Sequence, residues 1–473
     1  MTLCAVNVII VCMTIWMPEE INSDVPLYRA LADAIERDVS AGVLLPGRRL
    51  PTHRELADAL GVNVSTVTRG YREAERRGLL SGTVGRGTFV SADAETGASL
   101  MGHVPAHSPL LELGLVTPLH SLEPDVGACL GRLSRRKDLG RYLRYNSPSG
   151  LPEHRAAGAL WARRYNLAVQ PEDVVVCAGA QHGLNCALTA LFRPGDRIAT
   201  DSLTYPGLKS LAAMLGILLV PVPMDGEGML PEGLDTACRR GDIRGLYLMP
   251  GFQNPTTVTM SGKRRDAVAE VALRHNLLLV EDDAYALTRE ESLQPVSARM
   301  PESAVTILGV SKAFAAGLRV AFAVVPRRFR GVITEAVLNT VWMAPALGGA
   351  LVAEWISDGT ADRVIAAKRA EAARRVALAR EMLPGGTFAG ADSGYYIWLS
   401  LPAPWTGKDF EARGREAGIN IFCAEKFAVG GVPAPAAVRV SLTGTESGAE
   451  LKKGLTVISE LLSGTYPEVA PVM

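Results

Sequence analysis

Four short groups of polar residues in the stretch 250–319 have the types that one kind of chemistry needs. They are Gln253-Asn254-Pro255, Asp282-Asp283-Ala284-Tyr285, Ser311-Lys312 and Arg319. A lysine amine condenses with an aldehyde, and a carboxylate set against a pyridine nitrogen keeps that ring protonated and electron-withdrawing. Asparagine and tyrosine side chains donate to a ring phenolate, and an arginine forks onto a phosphate. Amine, acid, oxyanion donors and phosphate clamp together describe pyridoxal 5'-phosphate from the protein's side. A lone Ser-Lys pair would be an ordinary surface charge beside a strand; four ordered groups are not.

The elements that must position these groups are legible around them. Leu246-Tyr247-Leu248-Met249 precedes the first group, Leu277-Leu278-Leu279-Val280 the second, and Val305-Thr306-Ile307-Leu308 the lysine. Buried strands ending in polar residues and separated by helical patterns predict a parallel α/β sheet, with ligands at the carboxyl ends of the strands. Earlier, Val174-Val175-Val176 predicts another strand, and Gly179-Ala180-Gln181 opens a helix whose first N–H groups can seat a phosphate. Tyr205 follows a further apolar strand, Ile198-Ala199-Thr200-Asp201. Beyond Arg319 come a long basic helix over 361–382 and two strands, Gly394–Leu399 and Val438–Ser441, of a smaller α+β domain.

In this order the groups resemble the core of the fold-type I aminotransferases. The resemblance implies that Lys312 is the internal aldimine lysine, Asp282 the pyridinium partner, and Asn254 and Tyr285 the holders of the ring oxygen. It gives the phosphate to Ser311, Arg319, Ala180 and Gln181, and ring stacking to Tyr205. It carries any catalysis on Lys312, Asp282 and Tyr285. Tyr145, in Tyr145-Asn146-Ser147-Pro148-Ser149-Gly150-Leu151, would reach the cofactor phosphate of a partner subunit, and Arg439 would fork onto a substrate carboxylate. Two positions depart from the family pattern: Thr257 stands for a usual glycine and Gly309 for a common serine.

The 473 residues suffice for two or three domains with full cores. Apolar content of 48% and charge of 21% are ordinary for a soluble globular chain, which excludes a disordered or membrane-spanning class. The net charge is zero, so nucleic-acid binding requires a local basic patch. Seven cysteines without paired spacing suit a reducing cytoplasm and provide no metal motif, so no metal is expected. Residues 2–17 are almost wholly apolar but lack a basic leader and the ~20-residue length of a membrane span. An atypical amino terminus over 1–24, with translation starting at Met17, is the reading preferred here.

The basic patch lies in 25–92. Leu27, Leu31, Ile35 and Val39 share one helical face that Gly42 closes. Thr52-His53-Arg54-Glu55 forms a capping box for a second helix ended by Gly61, and Asn63 caps a third, closed by Gly78. A glycine-rich hairpin, Gly82–Gly87, follows, which completes a winged helix-turn-helix. Eight arginines face four acids between Arg48 and Arg86. The region resembles the GntR family of bacterial regulators through Leu50-Pro51-Thr52-x-Arg54-Glu55-Leu56-Ala57, Gly61-Val62-Asn63 and Arg86-Gly87-Thr88-Phe89-Val90. That resemblance puts Arg54, Asn63, Ser65, Thr66 and Arg69 at the major groove, with Arg86 and Gly87 in the wing toward the minor groove. Val64 stands where the family usually has arginine, and Gly70 sits mid-helix at a cost of up to ~1 kcal/mol.

Residues 93–109, rich in Ala, Gly, Ser and His, read as a linker to a second domain over 110–465. A GntR-type head on an aminotransferase-like body resembles the MocR subfamily of bacterial regulators. The fold class expected is α/β: an N-terminal winged helix-turn-helix, then a fold-type I aminotransferase-like domain with a parallel-rich large sheet and a small α+β carboxyl-terminal domain. The resemblance implies a cytoplasmic, homodimeric regulator that binds double-stranded operator DNA. It would sense pyridoxal phosphate, or an amino compound captured as an external aldimine at Lys312. An active aminotransferase carrying a DNA-binding head is the alternative, since no catalytic group is missing.

Overall fold

The computed structural model describes residues 16–18, 25–40, 43–44, 48–76, 79–83, 87–90, 110–285, 287, 293–383 and 388–464. The chain divides into two compact units, Met1–Thr96 and Gly97–Met473. In the first, helices Leu27–Ser40, His53–Leu60 and Val64–Arg76 are followed by an antiparallel pair, Leu80–Thr83 with Gly87–Val90. Thr52 and Glu55 cap the second helix reciprocally, and Gly61 ends it in the left-handed conformation at φ 66°. Leu31, Ile35, Val39, Leu56, Ala57, Val67, Tyr71 and Ala74 form its core, joined by Trp16, whose indole N–H donates to Asp38 at 2.9 Å. Gly70 has a packing reason: a methyl group there would lie 2.7 Å from Leu31 Cδ2, so glycine lets the first and third helices close together. Gly42, Gly78, Arg86 and the linker 93–109 lie outside the described residues.

The second unit is built on a seven-stranded sheet. Its spatial order is Val174–Cys177, Ala321–Val324, Ala304–Gly309, Leu278–Asp282, Ile243–Leu248, Arg197–Asp201 and Leu218–Val222. Six of the strands point the same way, and Ala321–Val324 runs opposite to them between Val174–Cys177 and Ala304–Gly309. The other six end on one edge, where the polar groups of 249–254, 282–285 and 309–312 are gathered. A smaller sheet orders Phe388–Ala389, Tyr396–Ser400, Ala437–Ser441 and Phe422–Cys423, all antiparallel. Its core of Ile397, Leu399, Val438, Val440, Leu451 and Ile458 is separate from the three that flank the large sheet.

The basic helix is Thr360–Met382, but not all of its cations face water. Arg375 is buried and donates to the carbonyls of Leu442, Thr445 and Glu446, which secures the loop after Ala437–Ser441. Lys368 is buried as well and donates to Phe314 O at 2.6 Å. No helix among the described residues is long and apolar enough to cross a membrane.

Candidate cofactor site and nucleic-acid interface

A cavity of about 280 Å³ opens at the carboxyl edge of the large sheet. Ten residues singled out in the sequence line it: Ala180, Gln181, Tyr205, Asn254, Asp282, Tyr285, Ser311, Lys312, Arg319 and Arg439. Strand alternation explains the carboxylate pair at the end of Leu278–Asp282. Asp282 faces the cavity, while buried Glu281 accepts the backbone N–H groups of Val296 and Ser297.

Asp282 is held as a half-satisfied acid. Tyr247 donates its hydroxyl to Oδ2 at 3.0 Å, and Oδ1 is buried with no hydrogen-bond partner among the described residues. Burial raises its carboxyl to about 6, against the lowering effect of Tyr247. It is therefore mostly ionised at neutral pH and lacks one donor, which a protonated ring nitrogen would supply. Lys312 donates to the main-chain carbonyl of Val116. Enclosure by protein, then Arg439, Lys368 and Arg319, push its amine down to about 8. Roughly a tenth of it is thus a free nucleophile at pH 7.

The anion-binding end is shaped by two glycines. Gly179 adopts φ 91°, and a Cβ on it would lie 2.4 Å from the Arg319 guanidinium, so its absence makes the room that Arg319 fills. Ala180 begins the helix Ala180–Leu191, whose first N–H groups share that end with Ser311 and Arg319. A Cβ on Gly207 would collide with the Tyr205 ring at 2.4 Å, so Gly207 lets that ring lie against the helix start. Gln181 Nε2 donates to Gly207 O at 3.0 Å.

At the opposite end Arg439 is buried. Nη1 donates to Asn254 Oδ1 at 2.7 Å and Nη2 to Gly114 O at 2.6 Å, while Nε has no partner among the described residues. Tyr396, Phe422 and Phe427 surround the guanidinium at 4.9–5.5 Å from their ring centroids. The bond to Arg439 uses the Asn254 oxygen and leaves its amide nitrogen, the donor a ring oxyanion requires. Thr257 holds φ 66°, a left-handed conformation that suits the glycine usual there and costs threonine about 1–2 kcal/mol. At Gly309 a Cβ would lie 3.4 Å from Ala180 Cβ, an ordinary contact, so nothing in the site depends on glycine there.

Tyr145 is not brought to this cavity. The residue is 82% exposed, and its ring packs on Trp342 at 5.3 Å. Conversely, sequence reasoning missed Tyr247, which lay inside an apolar run, and Lys368, which lay in a basic helix. It also missed the segment around Val116, whose contribution is main chain.

The orphaned Asp282 oxygen, the cradle at Gly179 and the Lys312 amine fit pyridoxal phosphate. Lys312 would hold its aldehyde carbon, Asp282 its ring nitrogen, Asn254 and Tyr285 its ring oxygen, and Ala180, Gln181, Ser311 and Arg319 its phosphate. When bound, the cofactor supplies an electrophilic carbonyl carbon and an electron sink.

In the first unit, Arg54, Asn63, Ser65 and Arg69 are exposed and Thr66 half-buried. Asn63 Oδ1 is occupied by the Ser65 N–H at 2.9 Å and the Ser65 hydroxyl at 2.8 Å, so it caps the third helix as expected. The Arg69 guanidinium lies 4.2 Å from the Tyr28 ring centroid, which orients it. Gly87 adopts φ 114°, which disfavours any side chain, and a Cβ there would press on the Arg49 guanidinium group at 3.0 Å.

Comparison with known proteins agrees with this division. The family described as bacterial regulatory proteins, gntR family, matches residues 27–90, and aminotransferase class I and II matches 124–458. The HTH-type transcriptional regulator YdeF of Bacillus subtilis is 35% identical over 448 residues, 94% of this chain and 96% of that protein. The vitamin B6 salvage pathway transcriptional repressor PtsJ of Salmonella typhimurium is 29% identical over 78% of this chain and 84% of its own. An archaeal alanine:glyoxylate aminotransferase structure superposes with a TM-score of 0.71 at 21% identity, over 84% of this chain and 100% of that one, which shows the fold. The chain belongs to the MocR subfamily of GntR-type transcriptional regulators, a winged-helix head joined to an aminotransferase class I and II body.

Proposed function

We propose that this regulator binds operator DNA through its head and reports the capture of pyridoxal phosphate, alone or with an amino compound, at Lys312. The observation that carries the reading is the bare Asp282 oxygen in the same cavity as a lysine amine lowered to about 8. A buried acceptor lacking its donor is costly unless a ligand completes it. The name of the relative PtsJ ties such a regulator to vitamin B6 metabolism and supports the same choice here. Arg439 favours an amino compound with a carboxylate, because its bare Nε leaves half of a fork open.

The protein acts in this reading as a cytoplasmic head-to-tail homodimer. Its two heads read repeated half-sites, and exposed Tyr145 reaches the phosphate end of the partner's cavity. The test is addition of pyridoxal phosphate to the purified full chain, with visible absorbance and borohydride-trapped mass as readouts. One added cofactor per chain on Lys312 is expected; none, or attachment elsewhere, overturns the reading. Arg439→Ala should weaken retention of an added amino acid while cofactor attachment persists. Equal loss of both indicates misfolding instead.

Transamination by the same site is a second reading, favoured by one feature: Lys312 titrates low enough to accept and return a proton. Keto-acid formation from a panel of amino acids tests it.

A further inference from the structure

The two side chains that would take hold of a ligand are already held, and by one stretch of main chain. Lys312 Nζ donates to Val116 O, and Arg439 Nη2 donates to Gly114 O at 2.6 Å. Lys312 follows a strand of the large sheet and Arg439 belongs to the small one, so Gly114–Val116 ties the two domains of the body at the cavity wall.

This stretch is fastened by bonds that do not involve the cavity. Leu111–Glu112 pairs in parallel with Ile419–Asn420. The Glu112 carboxylate accepts the N–H groups of Gly114 and Leu115, both at 2.7 Å, and the Asn420 amide. Thr117 and Thr443 exchange hydroxyl-to-carbonyl bonds of 2.5 and 2.8 Å. Gly444 passes so close that a Cβ there would lie 2.3 Å from Glu112 O. In sequence, the stretch is the first described segment after residues 91–109, on the side from which the head is attached.

We propose that Gly114–Thr117 is a ligand-released strap: ligand groups arriving at Lys312 and Arg439 take these donors from the strap carbonyls, and the freed strap carries occupancy of the cavity to the linker. The inference rests on the proposed cofactor-sensing function and adds how that site is read. A buried carbonyl that loses its donor must find another or move toward water. At Arg439 a carboxylate fork takes neighbouring nitrogens, and the bare Nε is adjacent to Nη2, so the contested bond is the one to Gly114. At Lys312 a carbonyl compound contests the bond to Val116. The strap thus answers separately to the two ends of a ligand, two residues apart. A ligand shifts the strap only through its different affinity for the fastened and released forms.

The experiment is hydrogen exchange of the full chain, followed in peptides covering 110–118, with pyridoxal phosphate alone and with L-alanine added. Visible absorbance reports binding in the same samples. The expected result is faster exchange across 110–118 on cofactor binding, rising to about fivefold or more when L-alanine is also bound, with Tyr396–Ser400 unchanged. Unchanged or slower exchange in a sample that shows the visible band overturns the strap and leaves cofactor sensing standing. Absence of the band in the wild-type chain overturns both. The variant Thr117→Val/Thr443→Val loosens the strap without touching a cavity residue. It should keep the visible band, show fast strap exchange without ligand, and lose most of the cofactor's effect on DNA affinity. Full retention of that effect with the band present also overturns the proposal.

Discussion

The head and the body handle charge in opposite ways. Arg54 and Arg69 stand exposed on the head, while Asp282 and Arg439 are removed from water in the body. Exposed cations act by neutralising phosphates, so each contributes part of a sum that salt erodes. Buried groups act singly, because each is a donor or acceptor with few substitutes. The same chain therefore has one interface that should fail by degrees and one site that should fail by single substitutions.

The sharpest way to break that contrast is Lys312→Ala. Cofactor attachment should vanish, and added cofactor should no longer change DNA affinity; a retained visible band would refute the lysine's role. Next, Asp282→Asn should weaken cofactor binding by about 1.5–3 kcal/mol, because the amide replaces the charged acceptor of a buried bond. Equilibrium dialysis measures it, and a change of a few tenths would show that the bare oxygen is not the ring-nitrogen partner. On the head, Arg54→Ala should cost ~1–3 kcal/mol of operator affinity if it reads a base, with cofactor binding unaffected. A salt titration sharpens this: a phosphate contact instead lowers the log–log slope by about 1.

Acidity provides a gentler probe. Only the unprotonated Lys312 amine attacks a carbonyl, so attachment should slow as pH falls through about 8. From pH 8 to pH 7 the neutral fraction drops about fivefold. A second decline is expected below about 6, where Asp282 takes up a proton and no longer holds a cationic ring nitrogen. Stopped-flow absorbance across that range checks both limbs, and a flat profile would contradict the burial of both groups. The smallest effect is expected from Gly70→Ala. Helix propensity favours alanine by up to ~1 kcal/mol, but the clash with Leu31 should outweigh it and destabilise the head by about 1 kcal/mol net. Thermal unfolding of the full chain measures it, and a stabilised head would show that the helices part without cost.

Much of this organisation was legible because a parallel sheet sends its polar strand ends to one edge. Asn254, Asp282, Ser311 and Lys312 each follow an apolar run, and all four line one cavity. The capping box at Thr52 and Glu55 was equally readable, since both partners are three residues apart. Other features left no local trace. Tyr247 sits in an apolar run, where a tyrosine reads as core, and only the alignment of neighbouring strands brings its hydroxyl to Asp282. Lys368 and Arg375 lie on a long helix whose charges read as solvated, yet both are buried and bonded to carbonyls. The strap's carbonyls belong to Gly114 and Val116, and a main-chain acceptor carries no residue signature. Gly70 reads as a cost in the sequence because the residue it makes room for, Leu31, lies on another helix.

Coupling between DNA binding and cavity occupancy is tested most directly by fluorescence anisotropy of the full chain on its own upstream DNA. Titrations with and without pyridoxal phosphate, at several salt concentrations, should show sequence-selective affinity that the cofactor changes by about fivefold or more. Affinity no better than for random DNA, or affinity that the cofactor leaves untouched while it occupies Lys312, would contradict the account.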